Sequence, residues 1–341
     1  VSHYNNEYDL GFGMLMQALR NVDADPKLAK AWWDLAAPGL WHEADIDIYH
    51  TMLDQSPIYN GGLFTHTAHG VEAGRSTHRA APTDDVWGTL DWSWARGGCP
   101  EAGHFRSRGI LNLYYLTGDR HLRDAAWDMT RLVDWKIREG RFPQIDVPDR
   151  QGGNNLQILL DWYLLTWDPK YLESIDKLTA SLDYDVVIAR SKELPQSAWS
   201  TALYMKSLGR LIDVYADKGI STDKLVGSYL KYARTMYEQS YVRQGGWREG
   251  TWSYLACEVM MQAAGLAQDP AEKAKFVAAA KDAFHALDNN VSADGSAPFY
   301  TSKSTTMLLQ GGGLYMLHAA RQGQEMATTR PSQEQAAAKP K

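Results

Sequence analysis

Residues 103–139 read GHFRSRGILNLYYLTGDRHLRDAAWDMTRLVDWKIRE, and this stretch sets the fold class. Apolar residues recur at helical spacing over Gly103–Thr117 and again over Arg120–Glu139, on either side of the tight turn Thr117-Gly118-Asp119. The first helix carries aromatic and polar functional groups. The second, built around AAWDMTRLVDWKI, reads as an amphipathic helix with one apolar face. Together they predict a helical hairpin with an inner and an outer member.

The pattern repeats outward in both directions. Upstream, Glu7 to Arg20 carries the apolar stripe Leu10, Met14, Leu15 and Leu19. Asp25-Pro26 then opens a second helix, with Pro26 in its first turn and the stripe Leu28, Trp32 and Leu35. Downstream, Asn154–Thr166 pairs with Lys170–Ala189, Ser197–Asp217 with Thr222–Ser240, and Thr251–Ala267 with Ala271–Leu287. The Asn5-Asn6 and Asn154-Asn155 pairs, at the starts of two of these helices, read as caps, with sugar-hydroxyl contacts as the alternative. A last helix, Thr305–Arg321, contains Gly311-Gly312-Gly313. The functional residues fall on the first helix of each pair, as in NNLQILLDWYLL and SAWSTALYMKSL, while EKAKFVAAAKDAFHAL reads as an outer helix. The expected fold is all-α. It is an α/α toroid, a complete or incomplete (α/α)6 barrel of helical hairpins, with an open solenoid as the competing arrangement. The toroid domain is expected to occupy 1–321 and a disordered polar tail 322–341.

One long stretch breaks the alternation. Positions 42–104 hold six of the ten histidines, and Trp87, Trp92 and Trp94 lie among glycines and acids in the same region. Long irregular segments in compact domains are either functional or disordered, and richness in aromatics argues against disorder. Residues 51–102 are therefore expected to be an ordered insertion that lines a site over one mouth of the toroid.

Composition narrows the partners. The chain has 341 residues, is 44% hydrophobic and 22% charged, and carries a net charge of −6. Without a Lys/Arg-rich run it is not expected to bind nucleic acid. No apolar run approaches the roughly 20 residues of a membrane span. The opening VSHYNNEYDL lacks the regions of a signal peptide and an initiator Met, as a processing boundary would leave it. Cys99 and Cys257 allow one disulfide at most. Trp (13) and Tyr (18) far outnumber Phe (7). Aromatics with a polar handle suit half-wet surfaces, a hint of a carbohydrate cleft.

Three groups of residues could carry chemistry. In WHEADIDIYH, residues 41–50, His42, Asp45, Asp47 and His50 are candidate metal ligands, with a solvated or capping helix end as the alternative. No cofactor is required, and a divalent cation such as calcium is the one this segment could take. In HTAHG, His66 and His69 sit at a spacing that allows shared substrate contact or general-base work. In GHFRSRG, His104 and Arg108 fall four residues apart and would share a helical face. A base beside a guanidinium is what β-elimination from a uronic acid needs: the guanidinium neutralises the carboxylate and the base removes the adjacent proton. Tyr114, later on that helix, could supply a phenolic acid or base. The alternative is that Arg106 and Arg108 pair with acids of a neighbouring helix. Tyr8, Asp9, Trp92, Trp94, Arg106, Trp162, Trp199, Trp247, Arg248 and Trp252 are candidate substrate contacts. Of these Tyr8, Trp162, Trp199 and Trp252, with Arg108, are expected to border one cleft. Glycoside hydrolysis would instead use two carboxylates across a cleft, with Glu7, Asp9, Asp84, Asp85, Asp91, Glu101, Asp161 and Glu249 as candidates and nothing in the sequence to say which of them face each other.

In order along the chain, NNEYDLGFGMLMQALR, LWHEADIDIYH, GGLFTHTAHG and GHFRSRGILNLYYLTGDRHLRDAA resemble the helical domain of exo-rhamnogalacturonan lyase-like proteins. The resemblance covers roughly residues 4–135. It implies an α/α toroid, eliminative cleavage of a pectin-like, uronic-acid-containing polysaccharide, and roles for His66, His69, His104 and Arg108. It also implies an acidic polysaccharide or oligosaccharide as partner, an extracellular or periplasmic setting, and further β-rich domains N-terminal to this chain. The leading expectation is a polysaccharide lyase. A glycoside hydrolase and a non-catalytic glycan-binding or structural module are the alternatives.

Overall fold

The computed structural model describes residues 8–48, 50, 61–64, 100–101, 106–139, 148–191, 198–247, 253–288 and 309–310. Among them the architecture is helical. The α-helices are α1 (Leu10–Asn21), α2 (Pro26–His42), α3 (Arg108–Thr117), α4 (Arg120–Glu139), α5 (Arg150–Thr166), α6 (Lys170–Ser181), α7 (Tyr184–Ser191), α8 (Ala198–Asp217), α9 (Asp223–Met236), α10 (Ser253–Leu266) and α11 (Pro270–Asp288). Single π-helical segments, Glu43–Asp47 and Tyr237–Val242, extend α2 and α9. The described strand pairing is a two-residue antiparallel ladder, Leu63–Phe64 with Pro100–Glu101. The 51–102 insertion otherwise lies outside the described residues, as do most of Thr305–Arg321 and the 322–341 tail.

Side-chain chemistry sets the helix boundaries. Asp25 caps α2 by accepting the Leu28 N–H at 3.0 Å, and Pro26 stands where a missing N–H costs nothing. The turn after α3 falls at Thr117-Gly118-Asp119, where the Gly118 N–H returns to the Tyr114 carbonyl. Two expectations change. The helix expected over Lys170–Ala189 is broken into α6 and α7, because the Asp183 carboxylate accepts the Asp185 N–H at 3.1 Å and starts a new helix. Asn154 and Asn155 are not caps. The α5 helix begins earlier, at Arg150, with Asp149 accepting the Gln151 N–H at 2.8 Å, and both asparagines are buried inside it.

The described residues fall into two compact units. One is drawn from Val1–Gln144, Asn154–Leu178 and Thr305–Gln310, the other from Ile145–Gly153, Thr179–Ser304 and Gly311–Lys341. In the first unit α1 packs on α2 and α3, and α3 on α4. The seam is made of small residues. The Leu40 side chain sits on Gly11 and Gly109, and a Cβ added at Gly109 would come within 2.6 Å of Leu40 Cδ2 and 2.5 Å of Asp9 Oδ1. The buried face of α2 is therefore Ala29, Ala36 and Leu40. The apolar stripes are buried only in part: Leu15 of α1 is fully buried, but Leu28 and Leu35 of α2 are 42% and 56% exposed, and Leu19 of α1 is 42% exposed. Close approach of the backbones puts glycine and alanine in the seam and turns the large side chains outward. Asp134 of α4 accepts a hydrogen bond from Ser174 of α6, and Lys177 donates to the Arg138 carbonyl at 2.9 Å.

In the second unit α8 packs on α10, and α9 on α7, α8 and α10. The core is rich in tyrosine. Tyr204, Tyr229 and Tyr232 are fully buried, the Tyr229 hydroxyl donates to the Val259 carbonyl at 3.2 Å, and the Tyr232 hydroxyl to the Leu182 carbonyl at 2.8 Å. Burial pushes the phenols of Tyr204 and Tyr232 far above their ordinary range. The tyrosine excess is thus spent partly on a core whose hydroxyls satisfy backbone carbonyls, rather than wholly on a wet cleft. Cys257 is also buried here as a free thiol, pushed up to about 12 by burial.

Candidate functional site

A buried polar cluster of the first unit forms where the start of α3 meets α1 and α5. Asp9, N-cap of α1, adopts the left-handed conformation (φ 60°), which Asp tolerates better than most residues. One of its oxygens accepts the Phe12 N–H and the other the Gly109 N–H, both at 3.1 Å. A single carboxylate therefore satisfies orphan donors in the first turns of two helices and sits at the positive end of both. Burial pushes its carboxyl up from the ordinary value, against the pull of Arg106, Arg108 and the two backbone donors. Arg106, 5% exposed, lies over the Tyr8 ring at 5.8 Å, and Arg108 over the Phe12 ring at 5.5 Å. From α5, Asp161 accepts the Ser107 hydroxyl at 3.2 Å and stands 3.7 Å from Arg108 Nε. Two buried carboxylates and two guanidiniums thus meet around residues 106–108.

One expectation is corrected here. The i,i+4 argument for His104 and Arg108 required a helix from Gly103, but α3 starts at Arg108, with Ser107 as its N-cap. Long-range partners fix that start: Ser107 binds Asp161 and Gly109 binds Asp9. Tyr114 lies near the other end of α3, where its ring meets Tyr115 at 5.8 Å.

The Trp41–His50 segment forms a second cluster. Its acids and histidines pair two by two: His42 Nε2 with Asp47 at 3.5 Å, His121 Nε2 with Asp45 at 3.4 Å, and His50 Nδ1 with Asp128 at 3.2 Å. Trp41 stacks on His121 with ring centroids 5.1 Å apart. Among the described residues no group of three or more His, Cys, Asp or Glu side chains could hold a metal ion. His42, Asp45, Asp47 and His50 do not form a coordination set there. Both nitrogens of His50 face acceptors, Asp128 and the Ala44 carbonyl at 2.7 Å, so the imidazolium satisfies both. The hydrogen bond to Asp128 accordingly raises its pKa from the ordinary value. A raised histidine pKa contributes stability that is full below about pH 6.5 and is lost as pH rises through the folded value. The thermal midpoint should therefore fall with rising pH across that window, and His50→Ala should flatten the slope. A His50→Ala profile parallel to wild type would refute this.

The remaining described candidates fall in both units. Trp162 is buried against Trp127, ring centroids 5.3 Å apart. In the second unit Trp199 is half-buried under Arg150, and the Trp247 indole N–H donates to the Ala279 carbonyl at 2.8 Å. His66, His69, Trp92, Trp94, His104, Arg248 and Trp252 lie outside the described residues, as do Asn5, Asn6, Glu7, Asp84, Asp85, Asp91 and Glu249. Sequence reasoning missed Ser107, His121, Asp128 and Arg150. Asp128 meets His50 across 78 positions, a separation that leaves no local signal. The chain matches no family model, no curated protein and no solved structure.

Proposed function

We propose that the chain is a carbohydrate-active enzyme with an α/α toroid fold, a polysaccharide lyase that opens a uronic-acid-containing glycan by β-elimination. The toroid reading rests on the alternation of helical hairpins; within the first unit, Gln17 of α1 donates to the Leu309 carbonyl at 2.5 Å, and Gln310 donates to the Tyr8 carbonyl. The observation behind the lyase reading is the Arg106–Arg108 pair at the start of α3, although Arg108 stands 3.7 Å from Asp161 and beside Asp9, the pairing with acids of neighbouring helices that the non-catalytic alternative expects. In this reading Arg108 takes the substrate carboxylate and stabilises the enolate-like intermediate, while an imidazole from His104, His66 or His69 removes the neighbouring proton. The base takes the C5 proton, the bond from C4 to the glycosidic oxygen breaks as the C4–C5 double bond forms, and the departing oxygen takes up a proton to become the hydroxyl of the new reducing end.

The same cluster also favours a second reading. Asp9 and Asp161 both reach residues 106–108, and the upward push on Asp9 is what a general acid needs, so a glycoside hydrolase is the alternative. Incubation with oligogalacturonates separates the readings. Elimination should give new ultraviolet absorbance from an unsaturated uronate in step with new reducing ends. Reducing ends without that absorbance would replace the lyase by the hydrolase. Binding without either signal would leave a glycan-binding module.

A further inference from the structure

The end of α9 carries a row of aromatic rings to which no role has been given. In its π-helical extension, Tyr237–Val242, the Arg243 N–H returns to the Glu238 carbonyl at 3.1 Å, five residues back. Tyr237 and Tyr241 meet there with ring centroids 5.4 Å apart, and Tyr237 is set edge-on against Phe276 of α11. A glycine turn then brings in a further ring. The Gly246 N–H donates to the Tyr241 carbonyl at 2.9 Å, and its φ of 119° is a conformation that residues with side chains rarely adopt. Trp247 is thereby carried back beside Tyr241, with centroids 5.4 Å apart, and its indole N–H is tied to the Ala279 carbonyl of α11. Asp282, three residues further along α11, has a carboxylate oxygen 3.5 Å from where a Cβ on Gly246 would stand.

Rings that served only packing would be buried, as Tyr204, Tyr229 and Tyr232 are. Tyr237, Tyr241 and Trp247 are instead half-buried, and Asp282 is exposed. Single π-helical segments are rare and are found frequently at functional sites. We propose that Tyr241, Trp247 and Asp282 form a subsite for a neutral sugar residue, with the apolar face of the sugar on the rings and neighbouring hydroxyls donating to the carboxylate. Aromatic rings offer a C–H-lined sugar face an apolar surface, and an ionised carboxylate accepts at both oxygens. The Ala279 contact fixes the indole in advance, which lowers the entropic cost of binding. The charge of Asp282 selects against a uronate, whose own carboxylate it repels. The subsite rests on the reading of the chain as acting on a glycan, one whose uronates are accompanied by neutral residues.

The test is calorimetric titration of the full chain with oligogalacturonate and with its carboxyl-reduced counterpart, in which every uronate has become a neutral galactose. Thermal midpoints are recorded for each variant. Tyr241→Ala and Trp247→Ala should each weaken binding of the reduced oligosaccharide by at least about tenfold, and Trp247→Phe, which keeps a ring, should restore part of the loss. Asp282→Asn should weaken the reduced oligosaccharide by about threefold and shift the preference toward oligogalacturonate, since the repelling charge is gone. A wild-type chain that binds oligogalacturonate but not the reduced form would overturn the subsite while the substrate class stands. So would folded Trp247→Ala and Asp282→Asn variants that both bind the reduced form as wild type does. If the wild-type chain binds neither ligand, the substrate class and the subsite fall together.

Discussion

Replacing Asp9 by Ala is expected to lower the unfolding free energy by about 3–5 kcal/mol, the range for removing one partner of a buried charge cluster. Three losses coincide. The α1 helix loses its cap, worth about 1 kcal/mol. The buried Gly109 N–H loses its acceptor, worth about 1–3 kcal/mol. Arg106 and Arg108 lose a nearby opposite charge in a site where Asp9 is only 4% exposed. Asp9→Asn should cost less, because an amide oxygen can still accept one of the two N–H groups. Urea unfolding at constant slope measures the difference. A loss below about 0.5 kcal/mol, the scale of an ordinary surface substitution, would show that Asp9 does not join α1 to α3.

Arg108→Lys is expected to raise KM and lower kcat together, because an ammonium cannot reproduce bidentate contact with a carboxylate. If His104 rather than His66 or His69 is the base, His104→Ala should reduce kcat by at least about 10²-fold with binding largely kept. The two variants also report on different links of the account. Arg108 stands beside Asp161 and draws on Asp9, so its replacement should disturb both stability and turnover. A stable Arg108→Lys variant with wild-type kcat and KM would reduce Arg108 to a structural ion-pair member and remove the main support for elimination.

Much of the helical framework was legible because its signals are local. Asp25-Pro26, the Thr117-Gly118-Asp119 turn and Pro270 each mark a helix end through a neighbouring side chain or ring, and α2, α3, α4 and α11 begin or end there. What was not legible depends on residues distant in the chain. Nothing in NNEYDLGFG announces that Asp9 also serves Gly109, 100 positions away. The buried face of α2 was misread for the same reason. A hydrophobicity pattern picks out Leu28 and Leu35, but contact with Gly11 and Gly109 selects the small face instead. His104 and Arg108 looked like partners only under a helix start that Asp9 and Asp161 move to Arg108. The Arg150–Trp199 pair depends on a close backbone approach at Gly153, where an added Cβ would come 2.6 Å from the Leu203 carbonyl oxygen, which no spacing rule foretells.

Digestion of oligogalacturonate in heavy-oxygen water, followed by immediate mass spectrometry, tests the central claim most directly. Elimination breaks the glycosidic bond without adding water, so every new fragment should lack the heavy oxygen, and one fragment of each pair should carry a double bond. One heavy oxygen at each new reducing end, with no unsaturated product, would contradict elimination and assign the Asp9–Asp161 cluster to hydrolysis.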